Sequence, residues 1–577
     1  MSSIFNRFYS TELARLRTLS VEFAKSNPNI APMLGAESAD PDVERILEGV
    51  AFLNGLTLQK LDDEFPEIAQ ELASLLAPQI LRPLPAATMV AFTPKMLLME
   101  IAHIAEGTEL GSVAVDGVTC IFRTTTSLNA FPVSVKFARL DEATDGSKTI
   151  SIGLQGNIFV DTGPKKHNLR FYLGDEQTAA ADLFYLLQKD QIESIRLTDG
   201  SGQSVALSTQ LLFPGLDEAL IPYPDNAFPG FRSIQELLFF PQKFYFVEFS
   251  DFFKGSGRLK GASFVIEIRL KKANLPIPEI SATSFQLNVV PAINVFKHSA
   301  EPIQVNHQTA EYLVLAEGLK RDQFQIYSID SVIGFKQGDR EHKTYLPFAL
   351  LNFANHDGQS SYRISVRNSS VNDRVESYLS IAYSPNDALT NETLSLSLSC
   401  TNRSLPENLK LGDINRPTST SSDRFTFKNI RPITGAIDPP RGEALLWSVV
   451  SHSALNFLSL GDVDTLRSML RHYNFKRNQD HSSVSANERL IEGITKLAVT
   501  RENRLVKGTM LQGQHIVMSC QGQNWPTLGS LHLWGTVLDV FLASYAGINS
   551  YTRFEIFDEN TGIVLKWPMR LGQKQLL

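Results

Sequence analysis

The chain has 577 residues, and at roughly 150 residues per domain that predicts about three or four domains. Its formal net charge is −7, from 54 Lys plus Arg against 61 Asp plus Glu, a balance that argues against a nucleic-acid-binding surface. Cys120, Cys400 and Cys520 lie too far apart for a short-spaced zinc site or a disulfide framework, and point to a reducing compartment.

Arg7, Glu12, Arg15, Arg17, Glu22 and Lys25 break up any apolar leader, so no secretory signal is expected. No apolar run approaches the ~18 residues that cross a bilayer. The stretch from Gly508 to Leu538 lacks Asp, Glu, Lys and Arg but is rich in Gly, Gln, Ser and Thr. It predicts a buried interface or a sheet interior.

Residues 1–80 carry six basic and twelve acidic side chains, whereas 441–577 carry 14 basic and 11 acidic. The N-terminal stretch reads as helices. Phe5, Phe8, Tyr9, Leu13, Leu16, Leu19 and Phe23 recur at three- and four-residue spacing, the stripe of an amphipathic helix. Asp40–Pro41 supplies a cap and a first-turn proline for a second helix. Pro66 is expected to open a third, with the carboxylates Asp62, Asp63 and Glu64 capping between them. So much apolar helical surface in 80 residues calls for another domain or chain to cover it.

Pro78, Pro83 and Pro85 mark a change to strands. Val113–Val115, Asp116–Gly117 and Val118–Arg123 read as a two-residue hairpin. Further strand patterns cover 149–154, 169–173, 243–249, 264–270, 285–290, 324–329, 362–366 and 394–400, without a fixed repeat. Asn415 to Asp423, followed by Pro432, Pro439 and Pro440, suggests a second border. Helices are then expected over 444–460, 462–473 and 486–498, and a hairpin over 553–568. The predicted class is α+β multidomain: an N-terminal amphipathic helical segment (1–80), β-rich middle domains (86–300 and 301–430) and a mixed α/β C-terminal domain (440–577).

No metalloprotease, hydrolase-elbow, phosphate-loop, EF-hand or paired-cysteine motif is present. Lys254 to Gly261 imitates a phosphate loop but leads into a strand pattern, not a helix N-terminus, and reads as a basic surface turn. His452 lies in an apolar helical pattern, where a core or interface role is the default. The 36 phenylalanines, clustered between Phe228 and Phe253, read mainly as core, with a surplus suited to subunit contacts. No cofactor or metal is expected.

Several segments carry a resemblance. Phe8–Leu13, Asp40–Leu53, Lys60–Pro66, Phe122–Thr125, Gln235–Phe244, Pro291–Phe296, Cys400–Pro406, Trp447–Leu460 and Val537–Phe541 leading to Ile548–Ser550 resemble, in this order, the TssF family (VasA or ImpG). Ala292, Val295, Val449 and Val450 are small departures within those boxes. These are baseplate subunits of the type VI secretion system, and the resemblance spans essentially the whole chain. It implies a non-enzymatic wedge protein. Two copies would clasp one TssG, joined by TssE and TssK, with neighbouring wedges closing around the VgrG spike hub. The chain would then be cytoplasmic, would reach the inner-membrane complex through TssK, and would serve tube and sheath assembly and the trigger of contraction. Candidate interface residues are Phe5, Phe8, Tyr9, Leu13, Leu16, Trp447, His452 and Leu455. If Trp447 is buried, in the core or in an interface, Trp447→Ala should cost about 3 kcal/mol or more. The residues alone leave two other classes open: a β-rich hydrolase-like enzyme with a helical appendage, and an adaptor binding phospholipid or nucleic acid through Lys165–Lys166 and Lys254–Lys260.

Overall fold

A computed structural model describes residues 3–26, 41–95, 98, 100–144, 146–156, 168–174, 176–207, 209–224, 227–252, 261–271, 277–336, 342–348, 360–368, 375–383, 391–440, 445–448, 462–474, 481–506, 508–544, 546–547 and 550–572. Its helices are α1 (Ser3–Ser26), α2 (Pro41–Leu76), α3 (Gln177–Leu186), α4 (Pro229–Phe239), α5 (Val463–Tyr473), α6 (His481–Glu492) and α7 (Leu528–Ala543), with a further helical stretch at 445–448. The fold is α+β and multidomain. It divides into two compact units, each assembled from separated stretches of chain. One takes Met1–Arg82, Lys297–Cys400 and Pro439–Val450; the other takes Pro83–Phe296, Thr401–Asp438 and Ser451–Leu577.

In the first unit α1 packs on α2. Pro41 opens α2, with Asp42 and Glu44 in the first turn, where negative charge favours the helix. The helix then runs through Pro66 to Leu76, so the third helix expected at Pro66 does not form and Asp62–Glu64 lie within α2. The reason is legible afterwards: Leu58, Leu61, Phe65, Ile68, Leu72 and Leu75 keep one three-and-four stripe straight across the proline. One continuous helix keeps that stripe on one face. At its C-terminal end, Ala73, Ala77 and Ile80 form a small core with Leu445. Gln70 grips the strand Ser361–Asn368, donating to the Val366 carbonyl at 2.8 Å and accepting from its N–H at 3.2 Å. The sheet of this unit is mixed: His342–Pro347 runs parallel to Ser361–Asn368, which pairs antiparallel with Val375–Ala382.

In the second unit a six-stranded sheet runs in the order Ile414–Pro417, Glu109–Val115, Val118–Thr124, Val289–Ile293, Ala87–Pro94, Phe425–Asn429. Strand pairing therefore crosses the border expected near 300 and brings 425–429 beside 87–94 and 414–417 beside 109–115. The expected hairpin forms. Asp116 (φ 50°) and Gly117 (φ 79°) both adopt the left-handed conformation that a two-residue turn of this twist requires, and Val115 faces Val118. Val90, Phe92, Leu110, Cys120, Phe122, Val290, Ile414 and Phe427 fill one core.

Elsewhere local chemistry overrides the β pattern. Only Phe246–Phe249 of the run 243–249 is strand, because Pro241 starts a 3-10 turn before it. The run 285–290 breaks at Asn288 (φ 59°) into Phe285–Gln286 and Val289–Ile293. The helix expected to reach 498 stops at Glu492, before Gly493, and Ile494–Val506 is strand. The uncharged stretch beyond 508 holds the strand Thr509–Cys520 and then α7, whose N-terminus carries a reciprocal Thr527–Ser530 capping box. Together with Ser550–Asp558, which pairs parallel to Thr509–Cys520, they form a strand–helix–strand crossover.

Candidate functional site

Two stretches of the chain leave large apolar side chains in water, and each begins with helix periodicity. On α2, Ile46, Val50 and Leu53 follow i, i+4, i+7 spacing, and Leu75 returns to that face about eight turns on. Ile46 is 65% exposed and Leu53 64% exposed; Val50, Phe52, Leu72 and Leu75 are exposed as well. On α1, Leu19 and Phe23 are exposed while Tyr9, Leu13 and Leu16 are half-buried. The Arg17 guanidinium ties the two helices together through Glu44 at 2.6 Å. Large apolar side chains thus remain in water along two paired helices. Phe5 and Phe8 belong to α1, but their side chains lie outside the described residues.

The second position is Trp447. It is 59% exposed, while its neighbour Leu445 is buried against Ala73, Ala77 and Ile80. Trp447 is therefore not part of the core of this chain. Leu446 beside it is also exposed. His452 and Leu455 lie outside the described residues, as do 165–166 and 254–260.

The interior holds polar groups that the sequence did not single out. Asn294 and Asn402 pair with each other and with the Ile121 backbone, so two of the segments that carry the resemblance meet beside the start of a third. Lys243 is enclosed. Its Nζ donates to the Glu236 carboxylate and to the Glu218 carbonyl, the latter at 2.7 Å. Glu236 in turn accepts the Leu220 N–H at 2.9 Å. Burial pulls the Lys243 pKa down, and the Glu236 charge opposes that shift. Arg170 holds Glu218 with two nitrogens and Glu248 with its Nε. On α7, His532 stacks against Trp567, whose Nε1 donates to Thr536 Oγ1 at 3.1 Å. Most of these groups pair with one another, and most of the partners lie tens of residues or more away, where no sequence spacing could reveal them.

Burial pushes the Cys120 thiol up to about 11 and those of Cys400 and Cys520 up to about 12, which keeps them protonated and unreactive near neutrality. All three are free. Among the described residues no group of three or more His, Cys, Asp or Glu side chains is placed to hold a metal ion. Most of the clustered phenylalanines are core: Phe231, Phe239, Phe240, Phe244, Phe246, Phe249 and Phe252 are all buried.

An α+β chain that keeps an exposed apolar stripe on its helices fits the class of subunits that assemble with other proteins. The chain belongs to the TssF family of the type VI secretion system: the family model "Type VI secretion system, TssF" matches residues 1–574. It is 25% identical over 618 aligned positions to type VI secretion system component TssF1 of Pseudomonas aeruginosa strain PAO1, covering 98% of each chain. It is also similar to a chain of the type VI TssK-TssF-TssG baseplate subcomplex solved by cryo-electron microscopy, with a TM-score of 0.78 and 26% identity over 91% of this chain and 98% of that one. A chain of another type VI baseplate complex shares the fold, with a TM-score of 0.65 and 22% identity, covering 99% and 100% of the two chains. Among the described residues no helix is long and apolar enough to cross a membrane.

Proposed function

We propose that this chain is a structural, non-catalytic subunit of a type VI baseplate wedge. Two copies clasp one TssG; TssK and TssE complete the wedge, and neighbouring wedges surround the VgrG hub. The protein works in the cytoplasm and is linked to the inner-membrane complex through TssK. There it supports tube and sheath assembly and passes on the change of shape that releases contraction. The observation that carries this reading is the apolar stripe of α2, with Ile46 and Leu53 largely in water on a chain that belongs to the TssF family. Helices with such a stripe gain affinity by laying it into a groove or against other helices. The half-buried Tyr9, Leu13 and Leu16 of α1 remain candidates for the same contact, and Trp447 adds an exposed aromatic anchor of the kind that dominates interfaces.

The test is a mass measurement on the chain purified alone and co-expressed with its neighbouring TssG. Two copies per TssG is the expected result. A well-behaved monomer that ignores TssG would overturn the reading.

A further inference from the structure

The C-terminal sheet ends in an unusual edge. Its order places Ile494–Val506 at one side, paired only with Thr509–Cys520. The start of this strand is covered, since Arg467 on α5 donates to the Glu492 carbonyl at 3.1 Å and to that of Ile494. From Lys496 to Leu505 the pairing with the neighbouring strand is regular. Among the described residues no further backbone hydrogen bond engages this stretch from its outer side. Ten residues at about 3.4 Å each leave some 34 Å of open ladder.

The other outer strands of this unit are blunted in the ways proteins use against stray pairing. Val133–Glu142 carries an irregularity between Val135 and Phe137. Ile414–Pro417 is irregular and ends in proline. Phe425–Asn429 and Ser204–Ala206 are short. The 494–506 strand alone among these is long, regular beyond Lys496 and free of proline.

Its charge is one-sided. Lys496 and Arg501 are exposed and have no ion pair among the described residues. Arg504 lies 3.4 Å from Glu502, but that carboxylate is already held by two nitrogens of Arg553 at 3.2 and 3.1 Å. The paired strand Thr509–Cys520 contributes no carboxylate. At the tip Leu505 faces Met510 across the ladder, 70% and 66% exposed.

We propose that an extended acidic segment of another polypeptide adds to this edge as a further strand. Main-chain hydrogen bonds along 496–505 supply affinity, and alternate side chains supply selectivity. Lys496 and Arg504 share one face and Arg501 lies on the other, so carboxylates on either face of the incoming strand find a partner. An apolar residue opposite the tip covers Leu505 and Met510. This inference is independent of the TssG contact proposed above.

The probe is a capped ten-residue peptide of alternating Thr and Glu, compared with its Thr–Lys counterpart, and the readout is amide hydrogen exchange of the full-length chain. The Thr–Glu peptide should slow exchange over 496–505 about tenfold, a local change against a constant global stability, and the Thr–Lys peptide should not. Arg501→Glu combined with Arg504→Glu should reverse the preference, with the α7 amides reporting that the variant remains folded. If the variant unfolds, the two peptides on the unsubstituted chain decide alone. No protection, or equal protection by both peptides, overturns the proposal and leaves the charges as simple guards against pairing. Protection that grows with protein concentration in the absence of peptide assigns the edge to a second copy, and overturns it too.

Discussion

Asn294 and Asn402 hold each other by two hydrogen bonds: the Asn402 N–H donates to Asn294 Oδ1 at 2.7 Å, and Asn294 Nδ2 donates to Asn402 Oδ1 at 2.8 Å. Both side chains are buried. Asn294 Nδ2 also reaches the Ile121 carbonyl at 2.8 Å, and the Ile121 N–H reaches Asn402 Oδ1 at 3.3 Å. The pair thus fastens the chain at 121, 294 and 402, which no local element connects.

Removing one side of this clasp strands the other. Asn294→Ala leaves the Asn402 N–H and the Ile121 carbonyl each short of a partner, at about 1–3 kcal/mol per buried unsatisfied group. A loss of about 3 kcal/mol is expected in urea unfolding. An unchanged midpoint would show that the clasp contributes nothing.

Lys243 and Glu236 make a stronger case of the same kind. Lys243→Met leaves the Glu236 carboxylate buried without its cation, and breaking one partner of a buried pair costs about 3–5 kcal/mol. Lys243→Met combined with Glu236→Gln removes both charges and keeps the acceptor for the Leu220 N–H. The double variant should recover most of the loss. If it is as unstable as the single one, the pair is not the origin of the effect.

The acid response of α7 follows from two buried groups of opposite sign. Burial holds the His532 pKa down at about 3 against an ordinary 6.5, so the unfolded chain binds the extra proton between those values and stability falls as pH drops through that window. Burial raises Asp539 to about 6 from 3.8, opposed by Arg570; here the folded chain holds the extra proton, and stability falls as pH rises from about 4 to 6. Between pH 4 and 6 the two slopes oppose each other, each at most about 1.4 kcal/mol per pH unit. Relative to the unsubstituted chain, Asp539→Asn should lose melting temperature more steeply on acidification, and His532→Phe less steeply. Identical pH profiles for the two variants would refute the assignment.

How far the sequence reveals the fold depends on the range of the interactions that decide it. The Asp116–Gly117 turn was legible because both residues must take positive φ and the strands flank them directly. The α5 cap was equally local: Asp462 accepts the Thr465 N–H at 3.0 Å. The passage of α2 through Pro66 was misread because a local breaker was given more weight than the apolar stripe that continues past it. The order of the six-stranded sheet was hidden, since Ala87–Pro94 pairs with strands some 200 and 340 residues away. At the candidate surface, the stripe of α1 and α2 was visible as periodicity, but the exposure of Ile46, Leu53 and Trp447 was not. Periodicity says that a face is apolar; only packing says whether the chain itself covers it.

That distinction supports the sharpest test of the assembly surface. Ile46 and Trp447 are each more than half exposed, so Ile46→Asp and Trp447→Ala remove little contact within the chain. Surface changes of this kind usually alter stability by no more than about 0.5 kcal/mol. A buried interface anchor, by contrast, costs about 2 kcal/mol or more when truncated. Thermal unfolding of the variants should therefore match that of the unsubstituted chain, while recovery of TssG in co-purification falls by at least about tenfold, as a loss of 1.4 kcal/mol already requires. A drop in melting temperature alone would mean that the stripe packs on another part of the same chain. Intact folding with full TssG recovery would remove α2 and Trp447 from the interface.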